Sequence, residues 1–304
     1  MSFNRKLGSF MQRRTLDGTF KAVYDGDGKL TLEENPLEIG GEKFTIAAHF
    51  YLDDPEGKFD IRIKNPNILW KNASHLLSKN ISSKLDMFTM AKPIAVTCDI
   101  VGSFSSAEDP LIYVQALIKD NTLDTPGGRV ANCNFKGVFT NNFDKTKGFN
   151  DANSAILLNG FTGEYGSVPF TMKQFAINNL EVPIAKGDFS SHFDLSRINN
   201  MLDKKLIAFT SGKADVDVKF TADIVRFKLE KPILEGKVAI SDANIDYAQR
   251  GIKANDVSVG LDFANNNLYI RNIAINTGKS SVKMDGSVAN FLNLLHSVCT
   301  KNNG

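Results

Sequence analysis

From Val257 the chain alternates with a strict period of two. Val257, Val259, Leu261 and Phe263 are apolar, and Ser258, Gly260 and Asp262 lie between them. Asn265-Asn266-Asn267 interrupts the run, and Leu268-Tyr269-Ile270 resumes it. A period of two puts every second side chain on one face of an extended strand, whereas a helix of 3.6 residues per turn would scatter them. The feature therefore demands a β-strand with one apolar and one polar face, an asparagine-rich turn and a second strand.

The same phrase recurs in each third of the chain. The first copy runs Asp25-Gly26-Asp27-Gly28, then Lys29 to Leu32, Leu37, Ile39 and Phe44 to Phe50. The second runs Gly166 to Met172, then Phe175, Ile177 and Val182 to Phe189. The third runs Asn266 to Ile270, then Ile273, Ile275 and Ser281 to Val288. Each reads as turn, strand, short turn, strand, followed by a short amphipathic helix. Asn65-Pro66 is the expected N-cap and N1 pair of the first helix, with Ile68, Leu69, Leu76, Leu77 and Ile81 on one side. Asp194 caps the second, before Leu195, Ile198 and Leu202, and Phe291 to Val298 carries the third. The repeats span 1–90, 91–205 and 206–304, at an uneven spacing of about one hundred residues, and together imply one continuous sheet.

Further strands are expected over Ile94 to Phe104, Leu111 to Ile118, Arg129 to Thr140 and Asn153 to Phe161. Val216, Val218 and Phe220 alternate with Asp215, Asp217 and Lys219. Gly236 to Ile240 and Ala243 to Tyr247 form an expected hairpin. The total is about fifteen strands and three short helices, a mainly β fold. Closely spaced turns make it a long antiparallel, curved, groove-like sheet built from irregular repeats, not βαβ units.

Composition narrows the function classes. The 304 residues are 42% hydrophobic and 23% charged, enough for a large core and too apolar for disorder. A net charge of +2, with basic residues scattered among acidic ones, supplies no field for nucleic acid. Cys98, Cys133 and Cys299 are odd in number and far apart, with no CxxC metal spacing. Met1 to Gly8 carries basic residues without an apolar run after it, and no stretch approaches the ~18 apolar residues of a membrane span. With the polar tail Thr300 to Gly304, the chain reads as a piece of a longer protein.

Motifs for chemistry are weak. Asp25, Asp27 and Glu34 fall on ligand positions of a calcium loop, but Val23 takes the first and the flanks are strands, so a plain Asp-Gly turn is the expectation. The glycine-rich Gly160 to Gly166 precedes a strand, not the helix N-terminus a phosphate cradle needs. His49, His75, His192 and His296 are isolated, and no GxSxG occurs. No enzyme, metal or cofactor is expected. The apolar stripes have two readings: the core of a β-sandwich, the usual solution for half-apolar sheets, or the lining of an open groove for lipid tails.

The last third also carries a recurring phrase: Leu234 to Ile245, Ile252 with Asn255-Asp256-Val257, Leu261-Asp262-Phe263, Leu268-Tyr269-Ile270, and Lys283 to Phe291. It resembles the AsmA-like family of AsmA/TamB-related bacterial envelope proteins; Gly137 to Asn141 and Phe189 to Leu195 are similar in style. The resemblance implies the periplasmic part of an inner-membrane-anchored protein, the anchor lying outside this chain. It implies a β-sheet groove that binds or conducts phospholipid between inner and outer membrane and supports outer-membrane biogenesis, with membranes at the ends of the full-length protein and envelope proteins as partners. The family has no catalytic residues. The expected lipid-binding stripe is Val216, Val218, Phe220, Val257, Val259, Leu261, Phe263, Leu268, Ile270, Val282 and Met284. The alternative is a non-enzymatic β-sandwich scaffold or interaction domain of the envelope.

Overall fold

The structure, a computed structural model, describes residues 14–77, 79–106, 109–202, 207–226, 228–247, 251–277 and 280–291. The chain is mainly β and antiparallel, with a few short helices, as the alternation requires. In chain order the elements begin with β1 (Leu16–Asp17), β2 (Ala22–Tyr24), β3 (Lys29–Ile39), β4 (Glu42–Tyr51) and β5 (Lys58–Ile68). Helices α1 (Trp70–His75) and α2 (Lys79–Leu85) follow, then β6 (Thr89–Met90), β7 (Ile94–Ser103), β8 (Leu111–Thr125) and β9 (Gly128–Thr140). Next come a 3₁₀ turn (Asp151–Asn153), β10 (Ala155–Tyr165), β11 (Val168–Asn178), β12 (Ile184–Asp194) and a second 3₁₀ turn (Leu195–Asn200). The remainder is β13 (Ala208–Val225), β14 (Lys228–Tyr247), β15 (Ile252–Ala264), β16 (Asn267–Asn276) and β17 (Ser281–Val288).

Two compact units are present. The first takes in the described residues up to 128 together with Asn132–Leu158 and Ile177–Pro183. In it β1 and β2 pair with β3, which continues antiparallel through β4, β5, β7 and β8, while β6 pairs with β8. Its core gathers Ala48, Phe59 and Ile61 with Leu32, Ile46, Phe50, Ile63 and Ile100 packed around them. The second unit comprises Arg129–Ala131, Asn159–Ala176 and the described residues from 184 on. There β12 to β17 form an unbroken antiparallel meander.

Turn chemistry explains the hairpins. The Asp25 carboxylate accepts from the backbone N–H of Asp27 and of Lys29, at 2.9 and 3.0 Å, and so closes the β2–β3 connection. Asn265 and Asn266 both take positive φ, 51° and 63°, the conformation that lets a two-residue loop match the twist of its strands. Ala264 then faces Asn267 directly.

Several expectations are corrected. Asn65 and Pro66 do not start a helix; both lie in β5, and the Asn65 side chain donates to the Lys43 carbonyl at 3.0 Å and accepts from the Asn67 N–H. The cross-strand bond outcompetes the local cap, and α1 begins only at Trp70. Asp194 makes no side-chain cap, and the helix after it is a short 3₁₀ segment. Gly236 to Tyr247 is no hairpin but part of the 20-residue β14. At Ser241-Asp242, where a turn was expected, Asp242 has φ 52° and the strand bulges. The register shifts after Leu32 and Ile270 are likewise bulges, within β3 and β16. The third helix, from Leu292, lies outside the described residues.

Two bulges of the second unit, at Asp256 and Asn272, share one construction that the β3 bulge lacks. Where two residues oppose one, the second takes positive φ and its N–H meets no ladder carbonyl. A side chain from the adjacent strand accepts it instead. Asp256 N donates to Asn244 Oδ1 at 3.1 Å, and Asn272 N donates to Asp285 Oδ1 at 2.6 Å. In the first unit Asp120 N donates to Asn134 Oδ1 at 2.8 Å. The donors have φ of 52°, 55° and 43°, which Asp and Asn tolerate better than other side chains.

Both the close approach of strands and the bulge construction are open to measurement. Gly236 has φ 132°, and a Cβ there would lie 2.2 Å from the Asp217 carbonyl oxygen. Gly236→Ala is expected to lower stability in urea by about 2–4 kcal/mol; a loss below about 1 kcal/mol would refute the close approach. Asn244→Ala should cost about 1 kcal/mol and speed exchange of the Asp256 amide, whereas Asn244→Asp, which keeps the acceptor, should do neither.

Candidate functional site

Register decides which side chains share a face. Directly opposed residues on antiparallel strands point the same way. In the second unit one row runs Phe189, Val218, Gly236, Phe263, Leu268, Val288 from β12 to β17. The next runs Ser191, Val216, Val238, Leu261, Ile270, Gly286. A partial row joins Gly187, Phe220 and Leu234. At a strand spacing of ~4.8 Å, six strands give an apolar face about 24 Å across.

All eleven residues of the expected stripe lie on this face. Val216, Val218 and Phe220 come from β13, Val257, Val259, Leu261 and Phe263 from β15, Leu268 and Ile270 from β16, Val282 and Met284 from β17. The bulge in β16 is what keeps them together. If Arg271 and Asn272 kept the regular alternation, Ile273 and Ile275 would turn away from the side that Leu268 and Ile270 occupy. With the bulge, Ile273 faces Met284 and Ile275 faces Val282. Phe189, Val238, Ile240 and Leu234 belong to the same face and were not anticipated. They alternate with polar residues in sequence, but only the strand register assigns them to this side.

Among the described residues of this unit, the face is most fully covered at one end. There the 3₁₀ turn 195–200 seats Leu195, 2% exposed, against Ala214, Ala243 and Val257, with Phe193, Ile198 and Ile240 packed around them. Gly212, at φ 112°, makes room: a Cβ would lie 2.9 Å from a Leu195 methyl. Away from that end Val216, Val218, Phe220, Leu261, Phe263 and Ile270 stay half-buried, and Val282 and Met284 are 43% and 50% exposed. Among the described residues of this unit the further cover is Phe291, whose ring lies 6.1 Å from that of Phe263. Flat aromatic rings sit on the same sheet, Phe170 against Phe189 at 5.7 Å and Phe175 against Phe220 at 6.2 Å.

The opposite face is ionic. Register sets Asp188 opposite Lys219 and Lys219 opposite Glu235; it sets Asp217 opposite Lys237 and Lys237 opposite Asp262. Arg271 donates to Asp262 at 2.6 Å, and His192 is hydrogen-bonded to Asp215. The sheet therefore has one wet side, and the other is the side with a use still to be found.

The first unit repeats the two-faced design. Ile63, Cys98 and Val114 stand side by side on its apolar face, and the Arg62–Asp99 and Lys64–Glu34 pairs, at 2.5 and 2.7 Å, on the other. The Lys64 ammonium holds the Glu34 carboxyl below its usual range, so this candidate calcium ligand is engaged elsewhere. Among the described residues no group of three or more His, Cys, Asp and Glu is placed to hold a metal ion. His49 bonds Thr31 and His75 bonds Asp86; His296 lies outside the described residues. A polar hollow lined by Asp144, Lys147, Asn153 and Asn178 is organised by Asn153, whose amide donates to the Asp144, Lys147 and Gly148 carbonyls. Among the described residues no helix is long and apolar enough to cross a membrane.

Burial pushes the Cys98 thiol up to about 12, and the neighbouring Asp99 charge adds to it. Cys98 is therefore expected to stay unmodified by a maleimide at pH 8 in the folded protein and to react once the protein is unfolded, read site by site by mass spectrometry. Rapid native labelling would show that this face opens.

Comparison with known protein families, curated proteins and solved structures finds no match to this chain.

Proposed function

We propose that this chain is a non-enzymatic segment of an AsmA-like periplasmic protein that holds and conducts phospholipid between inner and outer membrane, in support of outer-membrane biogenesis. The single observation that carries the reading is the six-strand apolar face of the second unit, half-buried between the Leu195 turn and the Phe291 ring, backed by a charged face. Exposing an acyl tail of ~15 methylenes to water costs about 12 kcal/mol at ~0.8 kcal/mol each. A sheet face lined by Val218, Leu261 and Phe263 removes most of that cost while leaving a headgroup in water. The contacts are non-directional, so successive rows offer a tail nearly equal footing, which suits passage better than capture. The family resemblance of Leu234 to Phe291 points the same way. The alternative, a scaffold with a dry sandwich core, needs an apolar layer on this face; within the second unit the described residues supply the 195–200 turn and the Phe291 ring against Phe263.

Lipid extracted with the purified protein should appear near one phospholipid per chain by mass spectrometry. Leu261→Asp should abolish it while leaving stability within about 1 kcal/mol, because an open face lets the carboxylate reach water. Loss of several kcal/mol, with no lipid in the parent protein, would instead establish a packed core.

A further inference from the structure

The last strand, β17, is an edge of unusual openness. It runs eight residues, and seven of them, Ser281 to Ser287, are exposed. Its registered partner among the described residues is β16 alone. Such an edge presents a row of unpaired backbone groups to any strand that fits, and proteins usually blunt it with an inward charge, a proline or a bulge. The bulge of this hairpin lies in β16, at Arg271 and Asn272, and leaves β17 regular. The strand contains no proline.

The charges of β17 select the partner. Lys283 and Asp285 are two apart on the ionic face, while Val282, Met284 and Gly286 occupy the apolar one. A lone lysine would repel a second copy of the same edge. A lysine and an aspartate flanking one central residue are self-complementary under a two-fold axis. With Met284 opposite Met284, antiparallel pairing sets Lys283 of each copy opposite Asp285 of the other, and Val282 opposite Gly286. Sliding by two residues along one strand sets Lys283 against Lys283, or Asp285 against Asp285, and like charges directly opposed destabilise a pair. Sliding by one puts charged residues beside apolar ones and breaks both faces. We propose that two copies of this chain associate edge to edge through β17, antiparallel and centred on Met284, extending the apolar face across the junction. The proposal is independent of what that face binds.

The test is sedimentation velocity on the full chain across micromolar concentrations, without lipid or detergent. A reversible dimer is expected. Lys283→Asp should weaken it about tenfold or more, since two complementary pairs become two repulsive ones, and adding Asp285→Lys to that variant should restore it to within about threefold. Asp285 also accepts the Asn272 N–H, so folding of both variants is checked by circular dichroism. Register is tested separately in a Cys299→Ser background: Met284→Cys should form a symmetric disulfide on mild oxidation, and Ser287→Cys should not. A monomer at all concentrations, a dimer indifferent to Lys283→Asp, or crosslinking as good at 287 as at 284 would each overturn the proposal. Failure of lipid binding would leave it intact.

Discussion

Pairing every backbone N–H in a sheet that also has to bend is the constraint on which this structure depends. An extra residue in one strand keeps an apolar stripe on its side of the sheet and increases the local twist, but leaves an N–H without a ladder partner. At Asp256, Asn272 and Asp120 that N–H is accepted by an Asn or Asp side chain from the next strand. The same residue types serve at both ends of the bond for different reasons. On the donor side they tolerate positive φ; on the acceptor side they are short enough to reach a neighbouring backbone.

The two-faced character of the second unit follows from those bulges being placed in register. Ile273 and Ile275 return to the apolar side only because Arg271 and Asn272 bulge together, and Ala243 meets Val257 only because Ser241 and Asp242 do the same. Glycine has a related part. Gly236 lies in the Val218–Phe263 row, where its backbone approaches that of Asp217 too closely for any side chain. The apolar face is thus shaped by positions that contribute no apolar surface of their own.

The two ends of this face differ in a way that bears on use. At the Leu195 end, a 3₁₀ turn, two alanines and Val257 make a dry cluster of small, close-packed groups. Further along, larger side chains such as Phe220, Leu261 and Phe263 stay half-buried. The opposing rows of Asp and Lys keep the other side solvated and fix which side is apolar.

By itself the sequence determined the fold class, the two-faced alternation of β13 and β15, and the Asp25 and Asn265 turns, because strand periodicity and turn chemistry are local properties. It did not distinguish a turn from a bulge. Ser241-Asp242 and Arg271-Asn272 are short polar breaks between apolar runs, as a turn would be, and only the neighbouring strand decides which form the backbone adopts. For the same reason Asn65-Pro66 reads as a helix start until the Lys43 carbonyl is seen beside it. Phe189, Val238 and Leu234 joined the candidate site only in three dimensions. Which strands stand side by side, and in what register, is a long-range choice made by the summed pairing of the sheet, and no local stretch of sequence contains it.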